Sequence, residues 1–273
     1  MELSWILIAA SLIATGIVAG VLSGLLGVGG GIVIVPALYF LFQLLGMSSA
    51  TAMSVATGTS LLVIIGTSLS SVRSHHGKGN VDFTLLRLWS PFIVFGAVVG
   101  ALLASYIGGV LATTVFSVVV LCMALNMIMR DTSLPLVCSA PNRILQLPCA
   151  AMIGFISVIM GIGGGALGVP CLRLCHFPVH RAVGTAAAFG FLIAVPGAVL
   201  MMVVAHAPAD APVGTLGFIN LPGFALIAPL SMLMAPVGVR LGSMVSSVVL
   251  TRLFAAFLFV TGIHMLYQAL RIA

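Results

Sequence analysis

The stretch SGLLGVGGGIVIVPALYF (Ser23–Phe40) sets a GxGGG cluster and a following proline inside an otherwise apolar run, and SVIMGIGGGALGVPCLRL (Ser157–Leu174) repeats the arrangement. Placing Gly27 on Gly161 pairs Ser23 with Ser157, Gly29, Gly30 and Gly31 with Gly163, Gly164 and Gly165, and Pro36 with Pro170, at an offset of 134 residues. Further along, ATAMSVATGTS (50–60) resembles HRAVGTAAAFG (180–190). PFIVFGAVVGALLAS (91–105) lines up with PLSMLMAPVGVRLGS (229–243), and both matches fall within four residues of that offset. A chain that repeats itself in this order is an internal duplication.

The setting of the motif decides the class of protein. Of 273 residues, 62% are hydrophobic and 5% are charged, against about 25% charged in a soluble domain. No charge occurs from Leu3 to Val72, a run of 70 residues, which as one helix would be roughly 105 Å long. A hydrocarbon core is about 30 Å thick, so the run must enter or cross it about three times. Further uncharged runs at 88–129, 144–172, 182–209, 211–239 and 253–270 predict a helical membrane protein, because a transmembrane barrel needs polar residues alternating toward its lumen. The opening MELSWILIAASLIATGIVAG has no basic n-region and is expected to be a retained first helix. Five unpatterned cysteines predict no disulfide framework. The net charge of +6 is spread over short loops and reports topology, not nucleic-acid binding.

Counting each glycine motif as a break divides each half into five apolar segments. They fall near 4–26, 30–46, 50–72, 88–107 and 109–129, then near 144–160, 163–176, 182–206, 216–239 and 245–270. The predicted organisation is a first repeat over 1–130, a cytoplasmic linker over 131–143 and a second repeat over 144–273. An odd number of crossings leaves the second copy upside down, the inverted repeat of many secondary transporters. With alternating crossings, Arg73, Lys78, Arg87, Arg130, Arg143, Arg173, Arg181, Arg240 and Arg252 share one face and only Arg271 takes the other. The positive-inside rule makes that face cytoplasmic and puts both termini outside. The expected fold is therefore an all-α polytopic membrane protein of two inverted five-segment repeats with glycine-broken helices at its centre.

Irregular backbone at membrane depth survives only where protein buries it or water reaches it. Two breaks entering from opposite sides would converge, and the amides opening the helix after each would suit an anion. Candidate substrate contacts are therefore Gly27, Gly29, Gly30 and Gly31 with Gly161, Gly163, Gly164 and Gly165. Thr57, Thr59 and Ser60 with Thr185 form the candidate hydroxyl lining. Against these stand close helix packing, the role expected of Gly16, Gly20, Gly96, Gly100, Gly238 and Gly242, and hydroxyls that bond within their own helix. Glu2, Asp82, Asp131 and Asp210 all lie in loops or at the terminus, so a carboxylate proton relay or sodium cage is not expected. Cys171, Cys175, His176 and His180 have metal-like spacing, but Pro178 interrupts the helix and the other repeat has no counterpart, so no metal is expected. With no HExxH, GxSxG or carboxylate pair, neither is enzyme activity.

The duplicated GLLGVGGGIVIVPAL and GIGGGALGVPCL motifs, with a likeness over essentially the whole chain, resemble the TauE/SafE family of sulfite and organosulfonate exporters. The resemblance implies a carrier in the bacterial cytoplasmic membrane that moves small sulfur-containing anions such as sulfite, sulfoacetate or thiosulfate, usually outward. An anion channel, or a membrane subunit that transports nothing itself, are the alternatives. Expected partners are a small anion and membrane lipids, with homo-oligomer formation left open, and no cofactor or nucleic acid is expected.

Overall fold

The computed structural model describes residues 2–26, 30–107, 109–129, 143–241 and 247–272. Among them the chain forms helices α1 (Glu2–Leu26), α2 (Gly31–Leu44), α3 (Ser49–His76), α4 (Phe83–Ile107), α5 (Gly109–Met129), α6 (Arg143–Ile159), α7 (Gly165–Leu174), α8 (Val179–Val203), α9 (Leu221–Leu241) and α10 (Ser247–Ile272). A small antiparallel hairpin, β1 (Thr215–Leu216) with β2 (Ile219–Asn220), joins α8 to α9. Seven of the helices, α1, α3, α4, α5, α8, α9 and α10, are long and apolar enough to cross a bilayer. The protein is an all-α polytopic membrane protein.

The helices that follow the glycine motifs are short. α2 has 14 residues and α7 has 10, or about 21 Å and 15 Å of rise against roughly 30 Å of hydrocarbon. Elsewhere the boundaries follow local chemistry. α3 runs on to His76, past the expected end at 72, and buries His75. α4 starts five residues early because the Asp82 carboxylate caps it, accepting from the Leu85 amide at 3.0 Å. The segment expected over 216–239 does not begin as a helix. Gly214 and Gly217 have positive φ, the chain turns through the hairpin, and Asn220 then caps α9 by accepting from the Gly223 amide at 2.9 Å. Most of the expected 131–143 linker lies outside the described residues.

Side chains sort by solvent. α3 and α8 are mostly buried at the centre, whereas Phe95, Leu125, Leu233 and Val260 on α4, α5, α9 and α10 point outward, as lipid contact requires. Small residues bring outer helices together. A Cβ on Gly16, Gly20 or Gly24 of α1 would lie 3.0, 2.5 or 1.9 Å from the carbonyl oxygens of Ile227, Ser231 or Ala235 on α9. On α4, Gly96 and Gly100 would meet those of Ala151 and Phe155 on α6 at 1.9 and 2.6 Å. These are the close backbone approaches of membrane helix pairs, and Gly242 lies outside the described residues.

Such contacts also give the helix directions. α1 and α9 run parallel, since 16, 20 and 24 meet 227, 231 and 235, and so do α4 and α6. α3 runs parallel to α9, with Thr59 bonded to Asn220 and Ser70 to Met232. α4 runs parallel to α8, where Asp82 meets Arg181 and Trp89 stacks on Phe189. α3 and α8 are antiparallel, with Leu61 beside Gly197 and Ser68 beside Gly190. One set of directions therefore holds α1, α3 and α9, and the opposite set holds α4, α6 and α8.

Candidate functional site

The second glycine motif is built as a helix stop followed by a helix start. Gly161 takes φ +65°; its amide donates to Val158 O at 3.0 Å and that of Ile162 to Ser157 O at 2.9 Å. This is a Schellman motif, in which the left-handed residue is ordinarily glycine, so Gly161 ends α6. Gly164 then stands at the N-cap of α7. In the first motif Gly27 and Gly29 lie outside the described residues, while Gly30 stands at the N-cap of α2 with φ +75°. Its carbonyl accepts from Val33 and Ile34 at 3.0 and 3.1 Å. With glycine at both N-caps, no capping side chain accepts from the opening amides of α2 or α7, which carry the positive end of each helix dipole.

The two motifs converge. A Cβ on Gly31 would lie 2.6 Å from the Gly161 carbonyl oxygen and 3.0 Å from Ile162 Cα, so the backbones touch where they meet. Gly163, Gly164 and Gly165 are buried beside them. On α7, Gly164 and Gly168 pack against Phe189, whose ring stacks on Trp89 with centroids 5.7 Å apart.

The predicted hydroxyls are all buried, and three of them reach across helices. Ser60 Oγ donates to Gly161 O at 2.7 Å, which ties α3 to the second break. Thr59 Oγ1 accepts from the Asn220 amide at 2.8 Å, and Thr185 Oγ1 accepts from the Asp82 amide at 3.0 Å. Thr57 lies against Gly161, and its Oγ1 has no hydrogen-bond partner.

The bonds to Thr59 and Thr185 are two copies of one device. Asp82 and Asn220 each precede and cap a helix, α4 and α9, while each donates its own amide to a threonine in the other half of the chain. Two residues before each, the carbonyl of Asn80 or Phe218 packs on the glycine preceding that threonine, Gly184 or Gly58, at 2.3 or 2.2 Å from an added Cβ. The device pairs Gly58-Thr59 with Gly184-Thr185, one helical turn away from the match of 50–60 to 180–190. The copies differ in charge. Asp82 also pairs with Arg181 at 3.1 Å, whereas the Asn220 amide group donates to the Thr215 hydroxyl at 3.0 Å.

Sequence reasoning missed Ser68 and Ser71 on α3, together with Ser23 and Ser157 beside the motifs. All four are buried with no partner for their hydroxyls. The signal was present: Thr57, Ser60, Ser68, Ser71 and His75 fall on one face of a helix, three or four residues apart or at multiples of that spacing.

The family described as "Sulfite exporter TauE/SafE" matches residues 12–265. The chain belongs to the TauE/SafE family. A "Probable membrane transporter protein" of Haemophilus influenzae is 29% identical over 92% of this chain and 95% of its own length. One from Methanocaldococcus jannaschii is 24% identical over 97% and 98%, and YunE of Bacillus subtilis, with the same description, is 31% identical over 71% and 78%. No solved structure matches. A TauE/SafE membrane transporter thus places its glycine motifs in contact at the protein centre, flanked by two loop-to-threonine bonds.

Proposed function

We propose that this chain is a secondary carrier for small sulfur-containing anions such as sulfite, sulfoacetate or thiosulfate, working outward across a bacterial cytoplasmic membrane by alternating access. The pair of latches, Asp82 to Thr185 and Asn220 to Thr59, carries the mechanism. Each ties a loop of one half to a central helix of the other. The basic α3–α4 loop, with Lys78 near Arg73 and Arg87, is the cytoplasmic one by the positive-inside rule, and the α8–α9 hairpin then lies outside. Breaking one latch while the other holds opens one face at a time.

Inverted halves are the arrangement of many such carriers. Supporting this, α1, α3 and α4 run opposite to their repeat counterparts α6, α8 and α9, as the contacts of Gly20, Gly100 and Ser68 indicate. The proposed substrate contacts are opening amides and hydroxyls, which hold an anion without a fixed countercharge and release it readily. With the interior negative, export of a monovalent anion is favoured by about 2.3 kcal/mol per 100 mV, so a uniporter suffices. The test is uptake into inside-out vesicles of radiolabelled sulfite, thiosulfate, sulfoacetate and acetate. Saturable accumulation of a sulfur anion above the acetate level is expected, and equal, unsaturable uptake of all four would contradict the proposal.

A further inference from the structure

The two glycine breaks look alike in sequence but are furnished differently. Beside the second, Gly190 of α8 faces Ser68 of α3. A Cβ on Gly190 would lie 2.6 Å from Ser68 Oγ and 3.6 Å from the amide nitrogen of Gly164 at the α7 N-cap. The bare Cα of Gly190 therefore lets the Ser68 hydroxyl and the Gly164 amide nitrogen approach the same point. That hydroxyl is fully buried and has no hydrogen-bond partner, although a buried unpaired hydroxyl costs about 1–3 kcal/mol.

Both helix starts are closely packed, Gly164 against Phe189 with 2.4 Å from an added Cβ to Phe189 Cβ, but the neighbours differ at the first break. A Cβ on Gly31 would lie 2.7 Å from Ile64 Cδ1 and 2.6 Å from the Gly161 carbonyl oxygen. A methyl group offers an anion nothing, and the Gly161 carbonyl, which belongs to the second motif, is already taken by Ser60. Among the described residues, the unpartnered hydroxyl that shares a glycine neighbour with an opening amide is thus at the second break, and hydrocarbon stands against the helix start at the first.

We infer that the anion is held at the second break alone, by Ser68 Oγ and the Gly164 and Gly165 amides, with Gly190 admitting the hydroxyl and the first break serving as packing. This rests on the anion-carrier reading and narrows it to one helix N-terminus.

The test is thermal unfolding of the purified full-length protein in detergent, titrated with sodium sulfite, thiosulfate or sulfoacetate against sodium chloride at equal ionic strength. Ligand that binds only the folded state raises the unfolding temperature in proportion to occupancy. Wild type is expected to show a saturable rise with at least one of these anions. Ser68→Ala and the near-isosteric Ser68→Cys should unfold, without anion, at or above the wild-type temperature, since they remove an unpartnered hydroxyl. Both should need at least tenfold more anion for the same rise, as should Gly190→Ala. Ile64→Val, at the first break, should titrate within twofold of wild type.

Ser68→Ala titrating like wild type would overturn the assignment while leaving the carrier reading intact. So would a fall of several degrees in its anion-free unfolding temperature, which would mark the hydroxyl as structural. Loss of the response in Ile64→Val as complete as in Ser68→Ala would overturn the asymmetry. A wild type that responds to no sulfur anion would overturn the carrier reading, and this inference with it.

Discussion

At the scale of single residues, the hydroxyls of α3 divide by what they touch. Ser60 satisfies the carbonyl of Gly161 at the turn between α6 and α7. Ser60→Ala leaves that acceptor buried and unpaired and should cost about 1–3 kcal/mol, read as a lowered unfolding temperature whether or not anion is present. Ser68 is the opposite case, having no protein partner to lose. Composition and periodicity picked out Thr57, Thr59, Ser60 and Thr185 as polar positions in an apolar chain, but not their partners. The amides of Asp82 and Asn220 arrive from 103 and 161 residues away, and no local pattern encodes such a meeting. Ser68 is not singled out by sequence, although Thr57, Ser60 and Ser71 share its face of α3, because a hydroxyl in a membrane helix ordinarily bonds to its own backbone.

Asp210 gives a pH-dependent prediction at the same scale. Burial raises its carboxyl, but hydrogen bonds from the Ser48 amide and Thr51 hydroxyl, at 2.8 and 2.7 Å, together outweigh this and hold it below the ordinary carboxylate range. A depressed carboxyl stabilises the fold above its unfolded-state value, and the contribution disappears as pH falls through the folded-state value. Acidification should therefore free the loop before the hairpin from the N-terminus of α3. Hydrogen exchange across 205–214 should rise on going from pH 7 to pH 3 after correction for intrinsic rates, and Asp210→Asn should exchange faster already at pH 7.

Among the elements, the latches make a reciprocal prediction. Thr185→Val removes the acceptor for the Asp82 amide and should speed hydrogen exchange in residues 77–82 severalfold, leaving 214–220 unchanged. Thr59→Val should do the reverse. Asp82→Asn keeps the amide donor and loses only the ion pair to a half-exposed Arg181, worth about 0.2–1 kcal/mol, so its effect should be the smallest. The segment pattern was legible because glycine breaks, proline and charge-free run lengths all act locally. The hairpin was not, because GTLGFIN (214–220) is apolar enough to pass for a helix start. Only the positive φ at Gly214 and Gly217 and the capping role of Asn220 separate it from α9.

For the whole molecule, some close contacts occur in pairs at the offsets of the sequence matches. Gly100 meets the Phe155 carbonyl as Gly238 meets that of Val21, and Gly154 meets Ile93 as Gly20 meets Ser231. Sequence alone reached the number of segments and their order. It could not say that the two breaks touch, or that two equivalent loop-to-threonine bonds flank them. If transport runs by alternating access, as proposed, these bonds must open in turn. The Asp82 amide lies 3.0 Å from Thr185 Oγ1, so the two residues are in contact, and a disulfide between them, formed where their Cβ atoms come within about 4.5 Å, would lock the latch. The direct test introduces Asp82→Cys and Thr185→Cys into a chain whose five native cysteines are replaced by serine, and follows radiolabelled sulfite flux in proteoliposomes. Oxidation should stop the flux and reduction should restore it; undiminished flux through the oxidised, cross-linked protein would contradict alternating access through this latch.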